Sequence, residues 1–334
     1  MNGVTDGILP AVSKHIYIFS PSSAVRDKVA FRRGVKRLQA LGHEVEVDEA
    51  ALAVHQRFAG DDATRLAAIA RAAASGADVA MTTRGGYGLT RILDDIPYRD
   101  IAAAIDRGTA FVGFSDFTAF QNALLARTGA VSWAGPSVGE DFGSAEGPDD
   151  IMEACFDDFM TGRGEGTGWR LPARAGIAPA LEHIRHAKLW GGNLTVLTSL
   201  IGSPYFPDVD QGVLFLEDVG EHPYRIERML EQLRHAGILA KQQAVLLGHF
   251  TAFRKTPNDR GFGLRGVSDR LQSQLRVPVI TGLPFGHVPT KVLLPVGANV
   301  DMDGEGREII MMWGHLSTGG HSHGDSHEHA SHEN

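Results

Sequence analysis

The chain has 334 residues, 43% hydrophobic and 22% charged, a globular composition with room for two domains. The net charge is −8, part of it from Asp325, Glu328 and Glu333 in a C-terminal stretch without Lys or Arg, and no basic stripe marks a nucleic-acid binder. Cys155 is the sole cysteine, which excludes an internal disulfide and suits a reducing compartment. Met1 to Lys14 lacks the basic start and long apolar core of a signal peptide, and no apolar run reaches transmembrane length, so a cytoplasmic protein with no membrane contact is expected.

In chain order, His15–Phe19 reads as a first strand running into the polar loop Ser20-Pro21-Ser22-Ser23. Residues 27–41 have helical spacing (Val29, Phe31, Val35, Leu38, Leu41), closed by Gly42. A strand at 43–47, an Ala-rich helix at 61–75 and a strand at 78–83 follow, then the loop Arg84-Gly85-Gly86-Tyr87-Gly88. Leu89 to Leu93 opens a helix, Ala110–Phe114 is a strand, and Phe117–Leu125 is again helical. This alternation predicts an α/β fold, with a doubly wound parallel sheet in the N-terminal domain, residues 15–138.

Residues 139–180 are rich in Gly, Pro and charge and read as a linker around one short helix, 151–160. A smaller, strand-rich mixed α/β domain is expected over 181–316. It holds a helix at 193–200, a strand at 213–217, a helix at 223–236 and strands at 243–247 and 277–281. Lys291–Val296 and Glu308–Trp313 read as a closing hairpin. Residues 1–14 are a tail, and 317–334 read as a disordered His-rich tail.

Ligands on a doubly wound sheet bind outside the carboxyl ends of the strands, where Gly85-Gly86 and Ser115 both fall. Ser115, in Phe111-Val112-Gly113-Phe114-Ser115-Asp116, stands at a strand-to-helix turn. Such a turn exposes a hydroxyl beside the free N–H groups of a helix N-terminus, although a serine there also serves as a helix cap. The usual nucleophile elbow carries a glycine two residues on, where this chain has Phe117. A serine nucleophile needs a base and a group to orient it. His287 follows Gly286 just past a strand, and Glu217 ends the apolar strand 213–216 with Asp218 as its rival. Each alone is as compatible with a loop histidine and a surface carboxylate.

Taken in order, Arg84-Gly85-Gly86-Tyr87-Gly88, Gly113-Phe114-Ser115-Asp116, Phe215-Leu216-Glu217-Asp218-Val219, and Gly286-His287 followed by Leu294-Pro295-Val296-Gly297 resemble the LD-carboxypeptidase (muramoyltetrapeptide carboxypeptidase) family of serine peptidases. Arg57-Phe58-Ala59-Gly60 and Trp190-Gly191-Gly192-Asn193-Leu194 resemble further family segments, so the likeness runs from about His15 to Trp313.

The resemblance implies a Ser–His–Glu triad of Ser115, His287 and Glu217, with the Asp116 and Gly86 amides as oxyanion donors. It implies removal of the terminal D-alanine from cytoplasmic murein tetrapeptide during cell-wall recycling, a homodimer, and no cofactor or catalytic metal. Arg84 and Lys291 are the cations nearest the motifs for the substrate carboxylate, Arg84 equally suiting a structural ion pair. Tyr87 either lines the pocket or packs on the next helix, and Asn193 suits a helix cap.

Two other readings stay open. Microcin-immunity-type relatives use the same triad on peptidyl or aminoacyl nucleotides and would need aromatic residues for the base, for which Trp133 and Trp190 are candidates. A non-catalytic small-ligand binding protein on the same scaffold is the second. The tail histidines His321, His323, His327, His329 and His332 could bind Zn²⁺ or Ni²⁺ incidentally.

Overall fold

The computed structural model describes residues 13–173, 181 and 184–316. The readings of the His-rich tail, of the first twelve residues and of 174–180 lie outside them.

The first sheet is built from β1 (His15–Phe19), β2 (Glu44–Val47), β3 (Val79–Thr82), β4 (Ala110–Gly113), β5 (Ser132–Ala134) and the late strand β11 (Leu294–Val296). Its order is β11-β5-β4-β3-β1-β2, parallel throughout except for β11. Alternate residues of one strand enter different cores. Ile16 and Ile18 pack with Phe31 and Leu38, while Tyr17 and Phe19 pack with Ile69 and Phe117. Both faces are thus covered by helices, as a parallel sheet requires. One cover includes α1 (Lys28–Ala40) and α5 (Asp150–Thr161), the other α2 (Asp62–Ala74), α3 (Tyr98–Asp106) and α4 (Phe117–Thr128). The Asp27 and Asp61 carboxylates cap α1 and α2.

The second sheet comprises β6 (Gly166–Arg170), β7 (Ala187–Asn193), β8 (Val213–Val219), β9 (Ala244–Thr251), β10 (Val279–Thr281), β12 (Asn299–Glu305) and β13 (Glu308–Met312). Its order is β10-β9-β8-β7-β12-β13-β6, with β7 to β10 parallel and the remainder antiparallel. Helices α6 (Leu194–Ser199), α7 (Pro223–His235) and α8 (Leu264–Gln274) complete a two-domain α/β architecture. No helix among the described residues is long and apolar enough to cross a membrane.

The expected closing hairpin does not form. Leu294–Val296 crosses back to the edge of the first sheet against β5, and Glu308–Met312 pairs with β12 and β6. Pro295 lacks an N–H and is suited to an edge strand. Val300 and Met302, alternating with Asp301 and Asp303, supply the partner strand that β13 needs. The stretch 139–180 contains α5 but also β6, an edge of the second sheet. The expected helix at Leu89 is two short 3₁₀ turns, Leu89–Arg91 and Leu93–Asp95, halted before Pro97.

Candidate active site

Ser115 lies between β4 and α4 with φ +64°, a left-handed conformation uncommon for a residue with a side chain. The neighbours make room for that turn. A Cβ on Gly113 would meet the Phe117 ring at 2.8 Å, so the glycine before the serine accommodates the bulky residue after it. A Cβ on Gly85 would stand 2.6 Å from the Ser115 Cβ and 2.8 Å from its Oγ. The glycine loop after β3 therefore runs directly against the hydroxyl.

Glu217 enters from the other domain, near the end of β8. Between the pairs Leu216–Leu247 and Asp218–Phe250, β9 carries one residue more than β8, and this bulge lies opposite Glu217. His287 follows Gly286, whose φ of +139° suits glycine; a Cβ there would lie 2.9 Å from the His249 carbonyl oxygen. The His287 carbonyl accepts the Thr251 hydroxyl at 3.3 Å, tying its loop to β9.

The three side chains form one hydrogen-bonded chain across the domain junction. His287 Nε2 is 3.0 Å from Ser115 Oγ, and His287 Nδ1 is 2.8 Å from Glu217 Oε2. With the Nδ1 proton donated to Glu217, Nε2 is free to accept the serine proton. Glu217 is fully buried, and its other oxygen accepts Asn193 Nδ2 at 3.1 Å. Burial disfavours a charged His287, but the hydrogen bond and charge of Glu217 outweigh it, and the imidazole titrates above its usual range. Asp218 is not the partner of His287. It accepts both the amide and the hydroxyl of Thr195 at 2.8 Å, and burial raises its carboxyl despite those bonds.

Helix α4 brings the domains together. Asn193 donates its amide to Thr118 Oγ1 at 2.9 Å, and Asn122 Nδ2 donates to the Gly191 carbonyl at 2.8 Å. Asn193 also caps α6 through Val196 N. The cap was legible from its place before a helix; its bond to Glu217 depends on the parallel pairing of β7 with β8, which sets the two residues side by side. Gly85 and Thr118 likewise matter only through neighbours distant in sequence.

The other site candidates are placed as follows. Among the described residues neither the Gly86 nor the Asp116 amide donates to another protein group. Arg84 lies 3.4 Å from Glu140. Lys291 is buried, paired with Asp141, with its ammonium 4.0 Å from the Phe114 ring centre. Phe114 also faces the His287 ring at 4.9 Å. Tyr87 is 42% exposed and rests on Phe58 rather than on a following helix. A cavity of about 290 Å³ opens beside His287, walled by Phe114, Glu140, Asp141, Asp149 and Lys291. Among the described residues no three His, Cys, Asp or Glu side chains are grouped to hold a metal ion.

Family models agree with this architecture. The LD-carboxypeptidase N-terminal domain matches residues 16–135, and the LD-carboxypeptidase C-terminal domain matches 186–302. The chain belongs to the LD-carboxypeptidase family. It is a serine-type carboxypeptidase by that membership. A Synechocystis relative named as a carboxypeptidase is 31% identical over 293 residues, 86% of this chain and 91% of its own. The crystal structure of a muramoyltetrapeptide carboxypeptidase from Oxalobacter formigenes superposes with a TM-score of 0.80 at 38% identity, covering 90% of this chain and 98% of that one. The microcin C7 self-immunity protein of Escherichia coli, solved with glutamyl sulfamoyl guanosine, shares the fold at TM-score 0.79 and 23% identity, over 92% of this chain and 98% of its own.

Proposed function

We propose that this LD-carboxypeptidase removes the terminal D-alanine from a murein tetrapeptide, with Ser115 as nucleophile, His287 as base and Glu217 as its orienting acid. The observation that carries the reading is the unbroken chain from Glu217 through His287 to the Ser115 hydroxyl. Ser115 Oγ attacks the carbonyl before the terminal residue as its proton passes to His287 Nε2. The carbonyl oxygen becomes an oxyanion received by the Gly86 and Asp116 amides. Collapse breaks the C–N bond, and His287 returns the proton to the departing D-alanine amine. Water, deprotonated by His287, then hydrolyses the acyl-enzyme.

A carboxypeptidase must also hold a free carboxylate. Arg84 is the better of the two cations for this role, because its contact with Glu140 is long and Glu140 is partly exposed. Lys291 is committed to a buried pair. The L-centre before the scissile bond belongs to diaminopimelate or lysine in this reading. The cytoplasm as compartment and a homodimer as assembly belong to the same proposal, the latter checked by light scattering.

Neither aromatic candidate of the nucleotide reading lines the cavity beside His287. Trp190 is fully buried and donates to Gln242 Oε1 at 2.9 Å, and Trp133 packs edge-on against Phe159. Parallel turnover assays on the tetrapeptide and on an aminoacyl-sulfamoyl adenylate test the proposal. Hydrolysis of the tetrapeptide supports it, and efficient hydrolysis of the adenylate alone overturns it.

A further inference from the structure

Asp116 begins α4, where a carboxylate ordinarily caps the helix, yet its side chain makes no capping bond. It is 2% exposed and turns toward two neighbouring loops. A single oxygen, Oδ2, accepts the Ser22 hydroxyl at 2.7 Å and the Leu89 amide at 2.9 Å. Ser22 belongs to the loop after β1, and Leu89 closes the glycine loop after β3. The same two loops are tied again nearby. Ser23 Oγ accepts the Tyr87 amide at 2.9 Å, and the fully buried Arg65 donates to the carbonyls of Pro21 at 3.1 Å and Gly88 at 2.8 Å.

The glycine loop needs such ties. Gly86 has φ +107°, and a Cβ there would lie 2.3 Å from Ser23 Oγ, so the segment has no side chain of its own to pack beside Gly85, which runs against the Ser115 hydroxyl. Its position must come from the groups around it. Burial raises the Asp116 carboxyl, while the Leu89 amide and Ser22 hydroxyl oppose that shift.

We propose that the Asp116 side chain is a positioning residue, fixing loop 84–89 against the nucleophile turn and so setting the distance between the Gly86 and Asp116 amides that receive the oxyanion. The proposal rests on the serine-peptidase reading above. It gives the residue two separate functions: its amide faces the reacting carbonyl, and its carboxylate holds the opposite donor in place.

The test uses Ser22→Ala, Asp116→Asn and Asp116→Ala in the full chain, with kcat and KM on the tetrapeptide and the labelling rate of Ser115 by a fluorophosphonate. In labelling, Ser115 Oγ bonds to phosphorus, fluoride leaves, the serine proton goes to His287, and the phosphoryl oxygen occupies the oxyanion position. Ser22→Ala is expected to lower kcat and labelling together by about 10-fold, and Asp116→Ala by about 10²-fold, with KM within about 2-fold. Asp116→Asn recovers to within about 10-fold of the parent, because its carboxamide oxygen accepts both bonds. A purely structural role would lower the melting temperature and leave the labelling rate of folded protein unchanged. Parental kcat and labelling in Ser22→Ala, or a loss confined to KM, overturns the proposal, even if Asp116→Ala does not fold. An unlabelled parent with no turnover is a different result, which overturns the serine-peptidase reading and this proposal with it.

Discussion

At His287, opposing forces on one ring set how the site responds to pH. Burial pushes the imidazole toward neutrality, Glu217 and, more weakly, Glu140 push it toward the charged form, and Lys291 opposes them. The net shift is upward from 6.5. A base must be neutral to take the Ser115 proton, so activity falls as pH drops through the raised pKa. The acid limb of kcat/KM should therefore lie above pH 6.5. Glu217→Gln removes the charge that raises it, moving the limb down and lowering kcat by roughly 10³-fold. A limb that stays in place would contradict Glu217 as the partner. Arg84 and Lys291 part company in the same way. Breaking a buried ion pair costs about 3–5 kcal/mol, so Lys291→Met should lower stability in urea by that order and leave the KM of folded enzyme near the parent's. Arg84→Met should raise KM at little cost in stability. The reverse pattern would exchange their roles. Both cations were visible in the sequence, but their acid partners, Glu140 and Asp141, lie on a short helical turn, Val138–Phe142, distant in sequence from either.

Among elements, legibility followed length and periodicity. The helices at α1, α2, α4 and α7 show apolar residues at helical spacing, and the early strands lie between clear turn residues. Strand β5 has only three residues, too few for a period, and β7 carries Gly191-Gly192 just before its last residue, which breaks the strand pattern. Those two glycines have φ of +125° and +127°, and the reason is tertiary. A Cβ on Gly192 would lie 2.5 Å from Thr118 Oγ1, on the helix that starts just after Ser115. Gly192→Ala should therefore cost about 1–3 kcal/mol in urea denaturation and lower kcat, since α4 must shift away from β7. Wild-type kcat together with wild-type stability would show that this contact does not hold the domains in register. The hairpin expected from 291–296 and 308–313 failed for a related reason: either strand could pair with several others, and only the full sheet order decides.

For the molecule as a whole, the site belongs to neither domain alone. Ser115 comes from the first sheet and Glu217 from the second, and His287 lies on the segment that crosses back to place β11 beside β5. That crossing, unreadable from local pattern, anchors the histidine loop at both ends. The three residues of the proposed triad were singled out by ordered short motifs that resemble one family, while the hydrogen bonds joining them required the assembled sheets. In the proposed function, Ser115, activated across this junction, cleaves off the terminal D-alanine. Mass-spectrometric measurement of free D-alanine from purified murein tetrapeptide tests it most directly, with Ser115→Ala alongside. Steady release by the parent is expected, and none above the uncatalysed rate by a folded Ser115→Ala variant. Equal release by both, or none by either, would contradict it.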